Sequence, residues 1–251
     1  MKNGYQRLSA WAYDLDKPIG RSFGDLEFLL KRLAGCSGPI LEPAVGNGRV
    51  LIPLLEAGLV VEGFDASEEM LARCRAHCRA RGLSPRLDMM RFEDFHYDYA
   101  FTAIIVPAGS FELIDDFATA MAVLRRMHEH LMPGGRLIID LDPVAWFFGD
   151  DREIYRWTTA DGGELTEQAQ ATEIDHLRQR IVTPLLYEYR RDGKLVESQT
   201  DLLALRWWGV DEFTLALGAA GFSNITACGD HEAGRPPRNG DQRITFEARR
   251  A

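Results

Sequence analysis

The chain has 251 residues, 46% of them hydrophobic and 27% charged. That is enough to bury a substantial core as one domain, or as one domain with a large insertion. Thirty-eight acidic residues against 29 basic ones leave a formal net charge of -9, which repels a phosphate backbone and argues against a nucleic-acid partner. No apolar run approaches the roughly 18 residues that cross a bilayer, so no membrane partner is expected. The polar start, Met1 to Ala10, lacks the basic flank and apolar run of a secretory signal, and a cytoplasmic location is the expectation.

In chain order, an aromatic-rich segment from Tyr5 to Asp14, with Trp11 and Tyr13, precedes any core strand. From Ile40 to Leu141 short apolar runs alternate with longer amphipathic ones, the pattern of a parallel sheet with crossover helices. The spacing predicts strands at Pro39 to Leu41, Val60 to Phe64, Leu87 to Met90, Phe101 to Val106 and Arg136 to Leu141. Helices are predicted over Asn47 to Ala57 and Ser67 to Arg81, with Ser67 as the cap of the second. A further helix opens at Asp115 and Asp116, placing Phe117, Met121, Leu124 and Leu131 on one face, and Pro133, Gly134 and Gly135 end it.

After Asp150 crossover helices give way to β-rich segments separated by the turn signals Asp161-Gly162-Gly163 and Asp192-Gly193, which read as antiparallel hairpins. Helical periodicity returns over Val210 to Ala220, followed by two last strands, Phe222 to Ala227 and Arg243 to Ala248. Cys36, Cys74, Cys78 and Cys228 show no disulfide or zinc spacing, and Cys74 and Cys78 continue an apolar stripe with Met70 and Leu71. The six histidines, His77, His96, His128, His130, His176 and His231, are scattered and read as surface or helix polar residues. No metal is expected.

The most informative stretch is Ile40-Leu41-Glu42-Pro43-Ala44-Val45-Gly46-Asn47-Gly48. A strand ends on a carboxylate, the chain turns on two glycines, and a helix starts. Glycines there permit positive φ and close approach of a ligand, and the free amides of a helix start suit a polar group. A second carboxylate, Asp65, ends the next strand, well placed to accept both hydroxyls of a ribose. A nicotinamide site would want a third glycine, where Val50 and Leu51 stand, and would set Glu42 against a pyrophosphate.

Glu42 to Gly48 with Asp65 resembles the first two motifs of class I S-adenosylmethionine (SAM) dependent methyltransferases, with Ala44 in place of the first motif glycine. Met132 to Leu137 and Ala219-Ala220-Gly221-Phe222 resemble two later family motifs. The resemblance implies a Rossmann-like α/β fold: a mostly parallel seven-stranded sheet with flanking helices and an antiparallel β insertion after the fifth strand. The implied division is a SAM-binding domain of residues 1–150 and 207–251, and an insertion of residues 151–206 forming a substrate lid or platform. It also implies SAM as cofactor, held by Glu42, Ala44, Gly46, Asn47, Gly48, Asp65, Ala66, Met70 and Val106. Phe92 is expected on the adenine ring and Glu93 at its edge, and Tyr13 beside the sulfonium as a catalytic and binding residue. The competing reading of Tyr13 and Trp11 is simple helix packing.

Methyl transfer from a sulfonium is an in-line displacement in which alignment and exclusion of water supply much of the catalysis, so no dedicated base is required. Glu112, in the loop after the fourth strand, is the candidate to bind or deprotonate an amine, or else to cap the next helix. Trp11, Ser110, Trp146, Tyr187, Tyr189, Arg206 and Trp207 are the candidate walls of a small-molecule acceptor site. Nitrogen is the preferred acceptor and oxygen the second. A non-catalytic SAM-binding regulator is the reading of a different class, and the competing reading of the insertion is the interface of a homodimer.

Overall fold

The computed structural model describes residues 5–149, 154–170 and 172–251. The start Met1 to Gly4 and the expected domain boundary at residues 150 and 151 lie outside the described residues. Helix α1 (Arg7–Asp16) and α2 (Asp25–Arg32) precede the alternating β1 (Ile40–Pro43), α3 (Leu51–Glu56), β2 (Val61–Asp65), α4 (Glu68–Ala80), β3 (Leu87–Met89), β4 (Phe101–Val106), α5 (Phe117–His130) and β5 (Leu131–Leu141). Strands β6 (Ile154–Thr158), β7 (Glu164–Ala169), β8 (Glu173–Asp175), β9 (Arg180–Arg191) and β10 (Lys194–Arg206) follow. Helix α6 (Val210–Ala219), β11 (Phe222–Gly229) and β12 (Ile244–Arg250) close the chain.

The first sheet has seven strands in the order β11-β12-β5-β4-β1-β2-β3. β1 to β5 pair in parallel, and β12 runs antiparallel to both β5 and β11. Its two faces are covered separately, as burial of both sides of a parallel sheet requires. Phe64, Phe101, Leu124, Met127, Phe213 and Phe246 belong to one buried cluster with α5 and α6. Leu26, Leu29, Leu51, Leu71 and Cys74 belong to the other, with α2, α3 and α4. Cys74 and Cys78 are buried free thiols, continuing the apolar stripe of α4.

A second, five-stranded antiparallel sheet holds β10-β9-β7-β6, with β8 paired to β9. Its long hairpin turns on Asp192 (φ 50°) and Gly193 (φ 73°), the positive φ pair of a tight two-residue hairpin. Helix α1 lies on this sheet: Leu8 and Ala12 pack against Leu165, Tyr187 and Tyr189. No described helix is long and apolar enough to cross a membrane.

Several boundaries differ from the sequence reading for physical reasons. The helix expected from Asn47 begins only at Leu51, because Ala44, Gly46 and Gly48 all take positive φ and hold residues 44–48 as a turn. Glu42 lies inside β1. Pro133 to Gly135 form a bulge within β5, where pairing jumps from Phe101 and Leu131 to Ala103 and Arg136. Leu131 therefore opens β5, and Phe117, in the first turn of α5, is half exposed beneath the Arg206 guanidinium, 5.1 Å from its ring.

Candidate cofactor and acceptor site

The turn after β1 is shaped by what cannot fit there. A Cβ on Gly48 would stand 2.8 Å from the Cys74 thiol and 3.0 Å from Ile52, so α4 packs directly on bare backbone. Gly63 in β2 is likewise pressed on Val45, whose Cβ lies 2.9 Å from the place of a side chain. Gly46 is different: a Cβ there would meet only the Tyr13 ring, at 3.9 Å, leaving an open concave surface beneath that ring. Ala44 adopts φ 53°, the left-handed conformation that glycine takes at lower cost.

Asp65 closes the turn from β2. One carboxylate oxygen accepts the Gly46 amide at 2.9 Å and the other the Ser67 amide at 2.8 Å. Burial pushes its carboxyl up, and these amides oppose that. Glu42 is almost fully buried, and its Oε2 has no hydrogen-bond partner among the described residues. Burial holds its carboxyl well above the usual range, against the pull of Arg49. Arg49 is committed to Asp25 through a buried ion pair of 2.5 Å. A buried carboxylate oxygen lacking a donor, beside backbone open at Gly46, fits a ligand carrying a cationic amine, as the methionine end of SAM does.

Helix α1 covers this turn. Ser67 Oγ donates to the Tyr5 carbonyl at 2.6 Å, and Asn47 Nδ2 donates to Asp14 and to the Lys17 carbonyl, both at 2.9 Å. Asp14 also meets His77 at 2.8 Å and Arg73 at 3.1 Å. The Asn47 amide therefore holds α1 in place. The Tyr13 ring lies edge-on to Tyr5, with Lys17 Nζ 4.8 Å from its centroid. Met70 is buried, its amide donating to the Ser67 hydroxyl that caps α4. Ala66 lines a cleft of about 470 Å³ with Tyr5, Glu69 and Arg91 at the carboxyl end of β2. Phe92 is buried edge-on against Phe64, 6.0 Å between centroids, and Glu93 is exposed. The residue at the cleft in this stretch is Arg91. Val106 is fully buried in the core, and Ser110 Oγ donates to the Pro107 carbonyl at 2.9 Å.

An acidic group gathers between the loops after β4 and β5, the edge where open α/β sheets bind ligands. Glu112 is 1% exposed, and its Oε1 accepts the Asp142 amide at 3.0 Å. Its Oε2 has no donor among the described residues and faces the Asp142 carboxylate. The position of a Cβ on Gly109 lies 2.7 Å from that Oε2, 3.0 Å from Asp142 Oδ2 and 3.2 Å from Arg243 Nη1, so three charged groups converge over a residue with φ 72°. Burial, then the Asp142 charge, holds the Glu112 carboxyl well above its usual range. Burial also raises Asp142, against the ion-paired Arg243. One proton shared between the two carboxyls satisfies both. Next to them Asp140 accepts from Thr245 Oγ1 at 2.6 Å and the Ala108 amide at 3.3 Å, and meets His231 Nε2 at 3.2 Å. His231 is thus buried and paired, not a surface residue, and His130 is likewise buried, its Nε2 accepting the Tyr97 amide.

The expected acceptor walls are distributed differently. The Trp11 ring packs tilted against Tyr189, 5.0 Å between centroids, while the Tyr189 hydroxyl donates to Asp161 at 2.5 Å. Tyr187 is buried in the same contact between α1 and the second sheet. Arg206 is buried, donating to Gln179 at 2.8 Å and Glu212 at 2.6 Å with its guanidinium 3.7 Å over Trp208. Trp207 packs on Phe147 and Phe148, and Trp146 is exposed. Asp142, Arg243, Asp140 and Tyr5 carried no role in the sequence reading. For Asp142 a signal existed, since it directly follows β5 at the ligand edge of the sheet.

The strand order, the glycine turn after β1 and the acid at the tip of β2 define a class I methyltransferase fold. Residues 40–135 match the family model described as a methyltransferase domain. A protein of Geobacillus sp. (strain WCH70) named "putative methyltransferase" is 24% identical over 96% of this chain and 98% of its own length. Among solved structures, a SAM-dependent methyltransferase from Clostridium acetobutylicum ATCC 824 matches with a TM-score of 0.78 and 18% identity, covering 96% of this chain and 97% of that one. The sugar N-methyltransferase KedS8 from Streptoalloteichus sp ATCC 53650 matches with a TM-score of 0.73 and 20% identity, covering 96% and 91%. Residues 40–135 therefore carry a methyltransferase domain, and the cradle of Glu42, Gly46 and Asp65 lies within it.

Proposed function

We propose that the protein methylates a nitrogen of a small-molecule amine, seated between the loops after β4 and β5 and the second sheet. The observation that carries this reading is the Glu112 and Asp142 carboxyl pair at the ligand edge. The likeness to a sugar N-methyltransferase supports it. The cofactor supplies an activated methyl group on a sulfonium. Glu42 takes the cofactor's amine, the turn at Ala44 to Gly48 carries its methionine end, and Asp65 takes the ribose. Tyr13 offers its ring to the sulfonium, and α1 excludes water.

An amine arrives as an ammonium and must lose a proton before its lone pair can attack. One proton is already shared within the Glu112 and Asp142 pair, so the carboxyl left ionised, Asp142 beside Arg243, is the group suited to take the ammonium proton. The C–N bond then forms as the S–C bond breaks, and the proton passes from the pair to solvent. Incubation with labelled SAM and matched libraries of amines and alcohols tests the reading. Label in amines is expected; label only in alcohols, or in neither, overturns it.

A further inference from the structure

The amino end of the first sheet, opposite the cofactor edge, holds a cavity of about 150 Å³ lined by Arg32, Arg136, Asn224, Thr226, Glu247 and Arg249. Three guanidiniums stand there against one carboxylate, in a chain whose net charge is -9. Glu247 is used by Arg32, at 2.9 Å. That leaves Arg136 and Arg249, which sit directly opposite one another on β5 and β12. Like charges in that register repel. Arg136 donates to the Arg32 carbonyl and Arg249 to the Gly134 carbonyl at 2.9 Å, so among the described residues their hydrogen bonds go to neutral backbone, and Glu247 is the carboxylate whose charge Arg136 feels. Burial, then the nearby Arg249, pushes the Arg136 guanidinium below its usual value.

Two guanidiniums facing one cavity, a threonine and an asparagine in its lining, and one carboxylate that is already paired with Arg32 make up the donor chemistry that suits a tetrahedral oxyanion. We propose that this cavity binds a phosphate-type dianion, inorganic phosphate or a small phosphomonoester, with Arg136 and Arg249 as its principal ligands. The site lies at the opposite end of the strands from Asp65 and Glu112, so its occupancy is independent of the methyl-transfer reading.

The test is thermal unfolding of the whole chain in increasing sodium phosphate, and separately glycerol 3-phosphate, against sodium chloride at matched ionic strength. Matching matters because salt screening alone relieves the repulsion between the two arginines. A saturable rise in Tm with phosphate beyond that with chloride, absent in Arg249→Gln and in Arg136→Gln, is expected. Circular dichroism and a cooperative melt verify that each variant is folded. If either variant does not fold, calorimetric titration of phosphate into the native chain decides alone, with saturable binding expected. Equal responses to phosphate and chloride, retention of the phosphate effect in both variants, or no calorimetric binding overturns the proposal.

Discussion

The Gly46 amide donates to the Asp65 carboxylate at 2.9 Å, so the acid that ends β2 also fixes the turn that follows β1. One side chain therefore shapes the cradle, and in the proposed function its remaining lone pairs take the ribose. Asp65→Asn is expected to weaken SAM binding by on the order of 1.5–3 kcal/mol, through loss of charge-assisted hydrogen bonds. Because the Gly46 and Ser67 amides lose a charged acceptor as well, Tm falls in the same variant. Calorimetric titration beside a melting curve checks both, and unchanged affinity in a folded variant contradicts the ribose assignment.

Ala44 is the position where backbone strain is readable. Its φ of 53° costs an L residue roughly 1–2 kcal/mol. Glycine relieves that strain but adds unfolded-state entropy and loses a methyl that packs on the core. The net expectation for Ala44→Gly is a gain of about 0.5 kcal/mol. Urea unfolding with an unchanged m-value and a higher midpoint bears this out; a lower midpoint contradicts it.

Glu112 affects stability with pH in the opposite sense from a carboxylate held ionised by a partner. Its folded carboxyl is raised by burial, so its contribution is fully present below the unfolded-state pKa and is lost as pH rises through the folded one. Glu112→Gln keeps an oxygen for the Asp142 amide and removes the buried charge. The variant is expected to melt above the wild type at alkaline pH, by on the order of 1–3 kcal/mol, with the difference vanishing in acid. Turnover on an amine is expected to fall roughly 100-fold or more. A variant less stable at high pH than at low pH, relative to wild type, contradicts the assignment.

His231 provides a separate pH signature. Burial lowers its imidazole, but Asp140 and Asp25 outweigh burial and the opposing Arg243, and the folded value is raised. Its stabilisation is therefore present below the unfolded-state pKa and is lost as pH climbs through the folded one. His231→Gln is expected to cost on the order of 1–3 kcal/mol in mild acid and less in alkali. Chemical denaturation across that range measures it; a cost independent of pH contradicts the charged pair.

The parts legible in the sequence are those set by local chemistry. Strand and helix periods placed β4 to the residue, and Ser67 caps α4 as its hydroxyl chemistry dictates. Glu42, Gly46, Gly48 and Asp65 could be read because a strand end followed by glycines leaves few alternative conformations. Pairings distant in sequence were not legible. Asp142 gains its meaning from Arg243, brought beside it when β12 pairs with β5. Arg206 is claimed by Gln179 and Glu212, and Tyr187 and Tyr189 by α1, contacts that no local pattern announces. Phe92 shares a turn with half-buried Arg91 and exposed Glu93, and only the packing of Phe64 and Phe95 shows which of the three goes inward.

The most direct measurement is calorimetric titration of S-adenosylhomocysteine into the native chain and into Glu42→Gln. Saturable one-to-one binding, weakened in the variant because the buried Oε2 of Glu42 loses its charge, is the result expected. No binding to a native chain that melts cooperatively contradicts the cofactor site at Glu42, Gly46 and Asp65.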